Sequence, residues 1–83
     1  MGELNTLQPV VSIFPNPSKE KFYITANGKI RLVSIWSVEG KSMGQYRFSS
    51  EKVELRMNDY KVGTYYIEIQ TEIGRFLRRF IRD

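Results

Sequence analysis

The chain has 83 residues, a formal charge of +4 and neither cysteine nor histidine. A chain this short forms one domain that buries a little over ~60% of the surface its unfolded form exposes, so its stability is modest. Without thiols there is no disulfide framework, thiolate metal site or cysteine nucleophile, and without imidazoles the commonest general base and metal ligand near neutral pH is missing.

No stretch approaches the roughly 18 to 20 apolar residues of a membrane-spanning helix, so no membrane insertion is expected. No charged region followed by an apolar core opens the chain, so no signal peptide is expected either. Met1-Gly2 reads as a start added to a domain cut from a longer protein. Residues 1–8 are polar and expected to be flexible, and the domain is expected to run from Pro9 to Asp83.

From there, short apolar and aromatic runs recur at about eight to twelve residues with turn chemistry between them, the rhythm of an all-β domain. The first, Val10 to Phe14, must end at Pro15-Asn16-Pro17, because two prolines lack the amide proton a central ladder needs. Lys21 to Thr25 follows, with Phe22 and Ile24 alternating against polar neighbours. Asn27-Gly28 reads as a two-residue hairpin turn. Ile30 to Ser37 is apolar on both faces and reads as a central strand, closed by a turn at Glu39-Gly40-Lys41 that takes a positive φ at Gly40.

Ser42 to Phe48 returns with weak alternation. Val53, Leu55 and Met57 then share one face of a fifth run while Lys52, Glu54 and Arg56 share the other. After a short crossover, Gly63 opens a strand in which Tyr65, Ile67 and Ile69 face the core. Arg75 to Ile81 fits both helical and strand spacing, and the Thr71-Glu72-Ile73-Gly74 turn decides for a strand hairpin. Seven short strands predict a seven-stranded antiparallel immunoglobulin-like β-sandwich.

Five segments stand in a characteristic order: Ile13-Phe14-Pro15-Asn16-Pro17-Ser18, Phe22-Tyr23-Ile24, Val33 to Lys41, Gly63-Thr64-Tyr65-Tyr66-Ile67, and Thr71-Glu72-Ile73-Gly74 before a basic-apolar end. Together they resemble the C-terminal sorting domain, type A, of proteins exported by the type IX secretion system of Bacteroidota. The resemblance covers Val10 to Asp83. Two departures stand out: Phe14 replaces a tyrosine often seen there, and Arg78 and Arg79 stand where lysine is more usual.

The resemblance implies a domain that is a secretion signal. It directs an N-terminal cargo from the periplasm through the outer membrane to the cell surface or medium, and a surface sortase then removes it. The implied partners are the translocon, shuttle and sortase proteins and the cargo domain. Leu7, Gln8 and Pro9 fall in the implied cleavage region. For recognition, the terminal strand offers an edge to which a partner sheet can add. Its arginines steer encounter with an acidic surface. This reading nominates Arg75, Arg78, Arg79, Ile81 and Arg82 for contact, Phe80 with Phe76 or Leu77 as anchors, Gly63 and Gly74 as shapers of the hairpin, and Tyr65 as a further recognition residue. Pro15, Asn16, Pro17, Gly40 and Lys41 read as structural turns.

Other residues bear on other function classes. Trp36, Tyr23, Tyr46, Tyr60, Tyr65 and Tyr66 suggest a carbohydrate platform, although such residues also serve as ordinary core and cross-strand contacts. A basic strand without a stacking motif argues against nucleic acid. Glu51, Glu54 and Asp59 form no acid-base pair in sequence, and Asn58-Asp59 falls far short of a calcium site. No enzyme activity, cofactor or metal is expected. An exposed terminal strand also invites edge-to-edge dimers.

Overall fold

A computed structural model of the chain describes residues 10–83. Among the described residues five strands form: β1 Val11–Phe14, β2 Lys21–Ser37, β3 Ser42–Arg56, β4 Gly63–Thr71 and β5 Gly74–Arg82. Every strand pairing is antiparallel, within one sheet ordered β1-β2-β4-β5, with β3 on the remaining edge of β2. The sheet curls into a half-barrel.

The all-β antiparallel expectation holds, but the count is five rather than seven and the strands do not divide into a sandwich. The second and third expected runs are one strand, β2, and the fourth and fifth are one strand, β3. The physical reason lies at Asn27-Gly28. A tight hairpin of this kind needs left-handed backbone at its turn residues, yet the glycines at positive φ are Gly40, Gly63 and Gly74. The Lys29 N–H and C=O, which such a turn would pair with Ala26, are taken by Glu72 instead, whose own N–H donates to the Lys29 carbonyl at 3.0 Å. Asn27 donates its N–H to the Val10 carbonyl at 3.2 Å, and Lys29 donates its own to Glu72 Oε1 at 3.0 Å. Register shifts between Thr25, Ile30 and Leu32 absorb the irregularity as a bend while β3 stays paired on both sides of it.

The hairpin at the chain's end forms as expected, with Thr71 paired to Gly74 around Glu72 and Ile73. Thr71 Oγ1 accepts from the Ile73 N–H at 3.1 Å and donates to the Gly74 carbonyl at 3.1 Å, which fixes the turn. The Gly40 turn also forms. Gly40 sits at φ 87°, a conformation costly for any residue with a Cβ. Its N–H donates to the Ser37 carbonyl at 2.9 Å. The Lys41 side chain is exposed and its N–H donates to Ser37 Oγ.

One core lies on the concave face. It gathers Phe22, Ile24, Ile30, Val33 and Ile35 of β2, Val53 and Leu55 of β3, Tyr65, Ile67 and Ile69 of β4 and Phe80 of β5, with Val11 and Met57. Burying each large apolar side chain is worth about 1.5–3 kcal/mol. Phe22 and Phe80 meet ring to ring at 4.3 Å. This contact folds the last strand back over the first residues of β2, with which it shares no ladder.

Candidate functional site

β5 alternates strictly. Opposite Tyr65, Ile67 and Ile69 stand Phe80, Arg78 and Phe76, so these three face the core side. Arg75, Leu77, Arg79 and Ile81 therefore occupy the convex face, beside Gln70, Glu68, Tyr66 and Thr64. Tyr66, Leu77 and Ile81 are 38, 59 and 38% exposed, which makes this face a mixed apolar and cationic surface rather than a purely solvated one.

The nominated residues separate into two groups. Phe80 is fully buried, and Tyr65 is buried with its hydroxyl donated to the Lys61 carbonyl at 2.6 Å. Arg82 is half-buried and donates Nε to the Met57 carbonyl at 3.1 Å, which ties the strand's end to the end of β3. Gly63 and Gly74 mark the starts of β4 and β5. These residues hold the strand in place.

Arg75, Arg78, Arg79 and Ile81 are exposed. Arg75 Nε lies 3.2 Å from Glu68 Oε2 on the convex face. Arg78 leans back on its own strand, donating Nη1 to the Leu77 carbonyl at 3.0 Å with its guanidinium 5.8 Å from the Phe76 ring centre. Of the two expected alternatives for the upper anchor, Phe76 packs against the core and Leu77 does not.

The Pro15-Asn16-Pro17 motif does more than turn the chain. Both peptide bonds preceding its prolines are cis. Asn16 Nδ2 donates to the Arg79 carbonyl at 3.1 Å, and Asn16 Oδ1 accepts the Ile81 N–H at 3.0 Å. Ser18, itself buried, donates its N–H to the Ile81 carbonyl at 3.1 Å and accepts the Asp83 N–H at 2.8 Å. The sequence reading missed this role, because partners more than sixty positions apart leave no local pattern. A signal was present nonetheless: an asparagine between two prolines has lost its nearest backbone N–H partners, since proline carries none.

The hairpin tip is fastened as well. Glu72 accepts from the Lys29 N–H and from Arg31 Nη2 at 3.3 Å. The Lys29 hydrogen bond, aided by the Arg31 and Lys29 charges, holds its carboxyl below the ordinary range.

The aromatic residues of the carbohydrate reading do not share a face. Tyr46 and Tyr60 pack against the core with Tyr65, Trp36 and Tyr66 pair on the convex face, and Tyr23 stands on β2 opposite Phe14 with Lys52 over its ring. The described residues enclose no pocket, and no three His, Cys, Asp or Glu side chains gather among them. Leu7, Gln8 and Pro9 and the expected flexible segment lie outside the described residues.

Comparison with known families matches residues 12–82 to the secretion system C-terminal sorting domain. No curated protein matches the chain.

Proposed function

Because the chain belongs to the type IX secretion C-terminal sorting domain family, we propose that it carries a cargo protein from the periplasm across the outer membrane and is then cut away by a surface sortase. Membership implies export to the cell surface or medium and interaction with the type IX machinery. The finer steps rest on the family resemblance: periplasmic transit, a shuttle and a translocon as readers, and cleavage near Leu7-Gln8-Pro9. The domain itself acts as an address, with no chemistry of its own.

The observation that carries the reading is the family match over residues 12–82, which contains the whole of β5. What supports β5 as the part that is read is its convex face. Arg75 and Arg79 are exposed there among Leu77, Ile81 and Tyr66. Cations interleaved with apolar groups suit an acidic protein surface that also offers apolar contact, and steering by such charges weakens with salt.

The test is secretion of a signal-peptide-bearing fluorescent reporter fused ahead of this chain, in cells with and without a working type IX system. Reporter in the medium or on the surface of intact cells alone is the expected result. Retention in the periplasm of both strains would refute the sorting role.

A further inference from the structure

The convex face is not the only way a terminal strand can be read, since its outer backbone edge can also receive a partner strand. That edge is divided into two parts. Arg79, Ile81 and Asp83 turn backbone groups away from β4, and the segment Asn16–Ser18 takes them: Arg79 C=O and Ile81 N–H by the Asn16 amide, Ile81 C=O and Asp83 N–H by the Ser18 backbone. By the alternation of an antiparallel strand, Arg75 and Leu77 present their groups to the same side. Of these, the Leu77 carbonyl accepts from Arg78.

A primary amide carries one carbonyl and one NH2, so the Asn16 side chain reproduces the donor and acceptor that a neighbouring strand residue would supply. Its flanking prolines have no N–H with which to extend the sheet another step. A segment of this composition ends a sheet, as edge prolines do in native proteins generally.

We propose that Asn16 is the positioning residue of the sorting signal: it seals the edge of β5 from Arg79 onward, so that the secretion machinery reads the convex side chains Arg79 and Ile81 on a fixed strand instead of adding a strand there. The proposal rests on the sorting reading above. It narrows that reading, because strand addition along the whole of β5 is no longer open to a partner. The occupant of the face is a protein surface that sets carboxylates against Arg75 and Arg79 and apolar groups against Leu77 and Ile81.

The experiment pairs amide hydrogen exchange on the complete chain with export of the reporter fusion. Asn16→Ala removes both side-chain bonds. It is expected to speed exchange at Ile81 by about tenfold or more while the Ile67 amide stays protected, and to cut export in proportion. Asn16→Asp keeps the acceptor for Ile81 but turns a carboxylate on the Arg79 carbonyl, and is expected to fall between. Ile69→Val, a core trim on β4 that leaves the seal intact, controls for lost stability and is expected to export normally.

Unchanged exchange in Asn16→Ala would overturn the seal. Released amides with wild-type export would overturn its role in the signal, as would an equal loss of export in Ile69→Val. If the unmodified chain fails to export the reporter, the sorting reading falls and takes the signal role of Asn16 with it. Exchange at Ile81 then separately decides whether the seal exists.

Discussion

Removing Phe80–Asp83 is expected to unfold the domain, which changes how any deletion of the sorting signal must be interpreted. Phe80 has no exposed surface and its ring lies 4.3 Å from Phe22. Emptying a buried phenylalanine site costs about 3–5 kcal/mol. The same cut removes the Ile81 N–H to Asn16, Ser18 N–H to Ile81 and Asp83 N–H to Ser18 hydrogen bonds, each worth about 1 kcal/mol net. The combined loss, about 6–8 kcal/mol, stands against a total of about 4–12 kcal/mol for a chain of this length. Urea unfolding followed by Trp36 fluorescence and far-ultraviolet circular dichroism measures it. The shortened chain is expected to show no cooperative transition, or one with a midpoint close to zero denaturant. A midpoint equal to that of the full chain would refute the reasoning, since it would mean that the last residues contribute nothing to the core. If the expectation is met, loss of export on truncation reports unfolding. Surface substitutions such as Arg79→Ala then become the informative ones.

Three further outcomes follow from other parts of the fold. A Cβ at Gly44 would stand 2.6 Å from Tyr60 Oη and 2.9 Å from Tyr46 Oη, so Gly44→Ala must part the two hydroxyls now 2.8 Å apart. The cost is about 1–3 kcal/mol, seen as a lower Tm, and an unchanged Tm would contradict the close approach. Burial, reinforced by the hydrogen bond with Tyr46, pushes the Tyr60 phenol well above its ordinary value of 10.0. The folded state therefore binds this proton more tightly than the unfolded one, and the associated stability is intact below about pH 10 and lost as the pH rises beyond it. Tyr60→Phe is expected to flatten this alkaline limb in thermal melts, and an identical limb would refute the assignment. At Glu72 the sign is opposite: its lowered pKa gives stability that is present above about pH 4.5 and lost as the carboxyl protonates below it. Glu72→Gln is expected to flatten the acid limb, and the same acid slope in both proteins would rule out Glu72 as its source.

The legible parts of the fold were those set by neighbours in sequence. The Gly40 turn, the Thr71 to Gly74 hairpin and the alternation of Tyr65, Ile67 and Ile69 are local patterns, and each appears where the residues place it. Asn27-Gly28 misled because its backbone groups found partners in Val10 and Glu72, which no local rule contains. Once that turn fails to form, the two expected sandwich layers have no separate strands from which to be built. At the site, composition showed the arginine cluster. It did not show that Arg82 is spent on Met57, or that Arg78 and Arg79 face opposite sides. Asn16 was visible as part of a turn, and its partners at the far end of the chain were not.

The bond from Asn16 to Ile81 spans 65 positions, so the first loop of the domain closes only on its last strand. A chain made from the N-terminus forward holds the proline loop long before it holds that strand, and non-local pairings of this kind slow folding. The convex face of β5 is consequently held in place from the opposite end of the domain. A chain cut back into β5 would keep the Pro-Asn-Pro loop with nothing for Asn16 to close upon.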